Sequence, residues 1–421
     1  MSFSMIRGMK RSLLSSFANP QAVLFLAVVA VFGVSAGLFA GVLNNYLYEI
    51  LRISKAGRGI VEFPRELPGL LLAGLAALMS RFCEMRMVRS ALLVSAAGLA
   101  GIAVLGQSLV PAIVMMVLWS TGEHLMMPLR QSVAVHMAKK GREGSTLGLV
   151  TMMQNLGQLA GYYMIPLLFL INSGDAHAGG FSNYRFVFLA ALAVLAAGFI
   201  LSLRLPVDPH HLERERLVFR KKYNLYYILE TFFGARKQVF LTFAPYVLIL
   251  VFGASAGMLA LLYGISATLA VAVSPVAGRI IDTMGFRIML VADAFIMILL
   301  CLVYGFSHAL FPRPAALFLV QSVFVLDSVL FVTSIARASY VKTISASRNE
   351  MTAALSTGVS INHLVSIVIA VCGGLLWESL GVEVLFSVAA AMSLASFVFC
   401  LWLPVGQPED ATVLPGPASE K

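Results

Sequence analysis

Long apolar runs follow one another along nearly the whole chain, separated by short polar stretches. Their spacing predicts helices near residues 20–51, 59–80, 88–108, 110–138, 144–171, 184–205, 224–252, 255–281, 288–308, 315–342, 350–376 and 383–404. A helix of about 20 mostly apolar residues crosses a hydrocarbon core of roughly 30 Å, so each run is a membrane-span candidate. The first run, from Ala22, follows Arg7, Lys10 and Arg11 in the manner of a signal peptide. It is longer than an ordinary signal core and is succeeded by eleven more runs, so it reads as a retained span.

One polar stretch divides the series. Residues 206–223, with His210, His211, Glu213, Arg214, Glu215 and Arg216, form a linker between two six-span halves, 1–205 and 224–405. Residues 406–421, rich in Pro and acidic or polar positions, have the composition of a disordered tail. No segment outside the spans is long enough to bury a core of its own.

Composition makes lipid the solvent. Hydrophobic residues are 59% of the chain and charged residues 12%, against roughly 25% charged in soluble domains. The four cysteines (Cys83, Cys301, Cys372, Cys400) stand singly in or beside apolar runs with no metal-ligand spacing, so neither a metal nor a cofactor is expected. The net charge of +10 is a matter of topology. With the N-terminus inside, cytoplasmic segments hold 20 of the 30 basic residues, outer loops five and spans five. That bias places both termini in the cytoplasm and needs no nucleic-acid partner. Three bases in the first outer loop, Arg52, Lys55 and Arg58, run against it.

The halves resemble each other. A shift of 207 positions lays Arg130 on Arg337, Ser132 on Ser339, Glu143 on Glu350 and Asn155 on Asn362. Internal duplication of this kind is the usual plan of secondary transporters, which bind substrate near the midplane between repeats.

Between the eighth and ninth spans runs Gly278-Arg279-Ile280-Ile281-Asp282-Thr283-Met284-Gly285-Phe286-Arg287. Its glycines suit a tight turn, and Asp282 is placed to pair with an arginine or to cap the next helix. The stretch resembles the loop signature of the major facilitator superfamily, and the resemblance covers essentially the whole apolar region. It implies an all-α membrane protein with twelve transmembrane helices in two pseudo-symmetric six-helix halves around a central cavity. It also implies a cytoplasmic gate at Gly278, Asp282, Gly285 and Arg287, with Arg130 and Arg337 as the matching arginines. A latch between Arg337 and Asp282 is the expected form of that gate. The corresponding first-half loop departs from the pattern, with Ser80 and Cys83 at the Asp and Gly positions, and Glu84 or Glu143 is then the expected partner of Arg130. The Gly-Pro step typical of drug–proton antiporters is absent from the fifth span, where Gly148, Gly157 and Gly161 occur without it.

Charges inside spans are costly and tend to mark polar pathways. Glu62 and Glu66 are four apart on one helical face with Arg65 beside them. They read either as a proton-binding site or as a salt bridge closing the outer mouth. Glu123 and His124 lie near the middle of the fourth span, and Asp327 near the middle of the tenth. Glu123 and Arg130 share a face but lie roughly 10 Å apart along the axis, so each should find a partner elsewhere. His124 and His363 are candidates for titration near neutral pH or for structural hydrogen bonds. Of Arg236 and Lys237, adjacent in the seventh span, one should face a cavity and the other snorkel or pair with Glu230; either is suited to an anionic solute. Asn44 and Asn45 are candidates for solute contact or for interface markers.

The expected function is secondary active transport of a small polar solute, anionic solutes included, by alternating access and with protons as coupling ion. Proton-driven efflux of amphipathic drugs and a non-transporting receptor or assembly factor on the same scaffold are the alternatives. No nucleotide-binding signature and no nucleophile–base pairing stands out, so no enzyme is expected. The expected setting is the lipid bilayer of a plasma (bacterial inner) membrane. One chain supplies both halves, so a monomer suffices.

Overall fold

A computed structural model describes residues 21–71, 82–139, 142–175, 179–207 and 218–404. Its helices are α1 (Ala22–Glu49), α2 (Lys55–Leu70), α3 (Glu84–Leu105), α4 (Leu109–Met137), α5 (Glu143–Ser173) and α6 (Phe181–Leu203). After a 3-10 turn at Lys221–Tyr223 come α7 (Asn224–Phe252), α8 (Ala256–Met284), α9 (Phe286–Leu310) and α10 (Arg313–Leu330). A second 3-10 turn, Phe331–Thr333, joins α10 to α11 (Ser334–Ile344), and α12 (Arg348–Leu380) and α13 (Val382–Leu401) complete the chain. Eleven helices among the described residues are long and apolar enough to cross a membrane, α10, the turn and α11 counting as one. The remaining expected span, 59–80, is represented by α2, because residues 72–81 lie outside the described residues. So do Ser80, most of the expected linker and the expected tail.

The chain forms two compact units whose membership crosses the sequence halves. The first holds Met1–Arg52, Leu71–Arg214 and Ser255–Gly264; the second holds Ile53–Leu70, Glu215–Ala254 and Ile265–Lys421. Thus α2, from the first half of the sequence, packs within the second unit, and the start of α8 packs within the first.

In the first unit α1 is the central helix, buried along most of its length by α5 and α6. Lipid offers helices no hydrophobic reason to associate, so close packing must hold them. Here glycines supply it. A side chain at Gly33 or Gly37 would run into the backbone carbonyls of Gln154 and Gln158, and one at Gly157 or Gly161 into those of Ala30 and Val34. Trp119 of α4 packs on Phe39 with ring centroids 4.8 Å apart, and the Ser35 hydroxyl donates to the Ala191 carbonyl of α6 at 3.0 Å.

In the second unit α7 is the buried helix, packed by α12, α13, α10 and α2. It stops at Gly253, whose φ of 75° is readily reached only without a Cβ. The start of α12 carries a Ser-x-x-Glu cap: the Ser347 hydroxyl accepts from the Glu350 amide at 3.2 Å, and Glu350 accepts from the Ala346 amide at 3.0 Å. Glu350 also pairs with Arg220 at 2.6 Å and Lys222 at 2.9 Å, fastening the entry to α7 against α12.

Candidate functional site

Burying charge in an apolar helix bundle is tolerable only where each group meets an opposite charge or a hydrogen bond. Nine charged or histidine side chains are classed as buried among the described residues, and seven are in the second unit: Arg58, Glu62, Glu66, Glu230, Arg236, Asp293 and Arg337. The first unit has Glu84 and His124.

One group joins α2 to α12. The helices run antiparallel in close contact, and a side chain at Gly59 would strike the Ala370 carbonyl. Arg58 pairs with Glu62 one turn on, and Arg65 grips Glu62 (2.6 Å) and pairs with Glu66. At the α12 side, His363 Nδ1 lies 3.1 Å from Glu66 Oε2. Glu62 and Glu66 are 1% and 6% exposed, so the cluster is interior and not a surface bridge. Arg58 leaves the expected outer loop for the same reason: α2 already begins at Lys55, and Arg58 is a buried partner of Glu62. Lys55 lies over the Trp377 ring at 5.6 Å.

The second group centres on α7. Arg337 of α11 donates from Nε to Glu230 Oε1 at 2.6 Å, with its guanidinium 3.4 Å from the Phe233 ring centroid. Arg236 Nη1 lies between two acids, 3.8 Å from Asp293 of α9 and 3.7 Å from Asp327 of α10. These are electrostatic distances, beyond hydrogen bonding, and Nη1 and Nη2 have no hydrogen-bond partner among the described residues. Beside them is a cavity of about 20 Å³, the size of a single water, lined also by Asp293, Arg337 and Ser393. Asp293 accepts from the Thr333 hydroxyl at 3.1 Å. Lys237 donates to Asn362 Oδ1 of α12 at 3.1 Å and is in no ion pair among the described residues. It lies within electrostatic reach of Glu66, Arg65, Glu230 and Arg337, which links the two groups into one array.

Arg236 and Lys237 therefore do not divide as the sequence suggests. Neither takes Glu230, because Arg337 occupies it. The Arg337–Asp282 latch is absent for the same reason: Arg337 is buried against α7, whereas Asp282 is exposed in the last turn of α8. Asp282 does not cap α9 either, whose start has no side-chain cap. Gly278 lies inside α8, since the helix continues to Met284, and the turn is made by Gly285 alone, at φ 84°. Arg287 donates from Nη2 to the Leu401 carbonyl at 2.8 Å, tying α9 to the end of α13.

In the first unit the candidates are fewer and more separate. His124 Nδ1 is bound to the Ser120 carbonyl of its own helix at 2.8 Å. Glu84 is taken by Ser132 and by His136 Nδ1 at 2.9 Å and is not matched to Arg130. Arg130 feels the charge of Glu123, two turns away on the same helix and roughly 10 Å along its axis. The Glu143 side chain lies outside the described residues. Asn45 donates to Glu49 at 3.0 Å and Asn44 to the Tyr263 hydroxyl at 3.3 Å.

Sequence reading did not place Arg58 or Asn362 in the array. Arg58 had a signal, since it lies four residues before Glu62 on the same helical face. Asn362 had one too, as the position that the repeat lays on Asn155. A larger groove of about 490 Å³ between α9 and α13 is lined by Ile288, Val291, Phe295, Phe397 and Leu401. Its walls are apolar and largely exposed, as befits a lipid-facing surface, and it is remote in character from the charged array.

The arrangement can bind charge, exchange protons and link helices; it contains no reactive nucleophile set. The sequence profile of the Major Facilitator Superfamily matches residues 23–361. No curated protein sequence matches the chain. Solved structures are similar in fold. One is a D-xylose–proton symporter with 15% identity, TM-score 0.71, and coverage of 93% of this chain and 99% of that one. Another is the nucleoside transporter NupG (12%, TM-score 0.69, 91% and 99%). A third is a POT family transporter in complex with 5-aminolevulinic acid (13%, TM-score 0.73, 90% and 95%). With a matched profile over most of its length and this helical architecture, the chain is an integral membrane protein of the Major Facilitator Superfamily, a transporter and not an enzyme.

Proposed function

We propose that the protein is a secondary active transporter carrying a small polar organic solute by alternating access, driven by protons. The observation that carries this reading is the Arg236–Asp293–Asp327 triad. Two acids, Asp293 buried and Asp327 half-buried, share one arginine that hydrogen-bonds neither through its terminal nitrogens, so the set is one charge short of neutrality. Protonation of either acid would complete it, and Asp327 is the one without the Thr333 hydrogen bond. A proton held there in one state and released in another is the elementary event of coupling. The Glu62–Arg65–Glu66–His363 group gives a means of transmission, since the contact of His363 with Glu66 joins α2 to α12. Similar folds in a xylose–proton symporter and a nucleoside transporter support a polar organic cargo. The basic bias of the expected cytoplasmic segments supports both termini on the cytoplasmic side of an inner membrane, and one chain supplying both halves supports a working monomer.

The test is uptake of a broad solute panel by proteoliposomes under an imposed pH gradient. For any solute carried, Asp327→Asn should abolish accumulation driven by the gradient while leaving solute exchange across equal pH. Accumulation unaltered in both Asp327→Asn and Asp293→Asn would remove the triad from coupling.

A further inference from the structure

The charges of the second unit's interior can be counted. Arg58, Arg65, Arg236, Lys237 and Arg337 face Glu62, Glu66, Glu230, Asp293 and Asp327, a sum of zero with His363 neutral. The balance is global and not local. Arg58 and Arg65 are matched by Glu62 and Glu66, and Arg337 by Glu230. Arg236 is over-matched by two aspartates. Lys237 is left with an amide oxygen as its only partner among the described residues.

A lysine ammonium offers three donors, and a cation at membrane depth is costly unless opposite charge or hydrogen bonds meet it. Asn362 is 7% exposed and accepts from Lys237 through Oδ1, which leaves its amide nitrogen as a further donor close to the lysine. The arrangement is built by close packing: Gly234, three residues before Lys237, has no Cβ, and one there would come within 3.1 Å of the Asn362 carboxamide carbon. Lys237 itself is only half buried, unlike Arg236 at 4%. A partly exposed cation whose nearby acids, Glu66 and Glu230, are each already paired with an arginine has donors to spare.

Resting on the transporter reading above, we infer that Lys237, with Asn362, is the docking point for a carboxylate of the transported solute. The charge count selects the class. One uncompensated positive charge calls for one negative charge, which a carboxylate supplies, whereas a phosphate monoester would bring about −1.5 to −2 near neutral pH. It also sets a stoichiometry. One carboxylate at Lys237 and one proton at the Arg236 triad neutralise the two local imbalances together, so the step is electroneutral symport of one anion with one proton. Arg236, an equal candidate by sequence, is excluded because two acids already surround it and would repel the anion.

The experiment is a thermal-shift measurement on the full-length protein in detergent. The panel is acetate, lactate, benzoate and gluconate, each beside its uncharged amide, with glucose 6-phosphate as the phosphate monoester. At least one carboxylate should raise Tm, its amide should not, and Lys237→Gln should weaken the apparent affinity by about 10- to 100-fold. Lys237→Arg should retain part of the shift. In the absence of any ligand, Lys237→Gln should unfold at the same temperature as the wild type or higher, because it removes an unpaired charge. No shift by any carboxylate, or a shift that survives Lys237→Gln, would overturn the assignment. A ligand-free Tm that falls in both Lys237→Gln and Lys237→Met would overturn it too, by making Lys237 a structural group. Failures separate cleanly: uncharged solutes accumulated with protons would leave the transporter and remove the carboxylate. Carboxylate binding through Lys237 without pH-driven uptake would leave the site and remove proton-driven transport.

Discussion

The helices that open the two sequence halves, α1 and α7, are each the most buried of their unit and are held by opposite means. From Ala22 to Tyr48, α1 carries no charged residue; it packs through glycines whose missing side chains bring backbones into contact. In α7 the corresponding interior carries Glu230, Arg236, Lys237 and Gln238, and its neighbours supply charges to meet them. Glycine packing is dry, short-ranged and has one arrangement. Ion pairs tolerate separation, have alternative partners and respond to protons and anions. The contrast separates a unit held by backbone packing from a unit held by charge. Even the aligned residues differ: Arg337 is buried on Glu230, whereas Arg130 is half buried and acted on by Glu123 along its own helix. Asn362 is buried on Lys237, whereas Asn155 is exposed.

The contrast is broken most forcibly at Arg337. Arg337→Ala leaves Glu230 buried beside Phe233 without a counter-charge, and the expected loss is about 3–5 kcal/mol in detergent unfolding. The double variant Arg337→Met, Glu230→Leu should recover most of it; equal losses in single and double variants would show that packing, not charge, is at stake. Next comes Gly157→Leu in the first unit. Its side chain has nowhere to go but the α1 backbone, so about 1–3 kcal/mol should be lost to overpacking, with no change in the pH dependence of stability. A pH-dependent loss would mean that the first unit is not simply held by packing. Smallest is Glu123→Gln, which removes a half-buried charge acting at a distance; a stability change within about 1 kcal/mol is expected, read by the same unfolding measurement. A loss as large as that of Arg337→Ala would erase the distinction between the units.

Much of the architecture was legible because it follows from one constraint, that a chain in lipid must satisfy its backbone within helices. The ends of α7 and α9 fall within a few residues of those expected, and the turn at Gly285 is where the motif puts it. The site was legible as a list of charges but not as a set of pairs. Arg337 went to Asp282 on the strength of motif order, and only the packing of α11 on α7 reveals Glu230 as its partner. Periodicity says which face of a helix is polar; it does not say which other helix that face meets. Arg58 was lost for a local reason. Nothing in Lys55-Ala56-Gly57-Arg58-Gly59 resembles a helix start, two glycines disfavour one, and the contact with α12 accounts for the second of them, Gly59.

The most direct test joins the two imbalances of the second unit. The carboxylate giving the largest thermal shift is added to purified protein in weakly buffered detergent solution, and proton uptake is followed with a pH-sensitive dye. One proton should be taken up for each anion bound, none in Asp327→Asn, and none in Lys237→Gln at concentrations saturating the wild type. Binding without proton uptake, or uptake undiminished in Asp327→Asn, would show that the lysine and the aspartate triad do not act as the two halves of one coupled site.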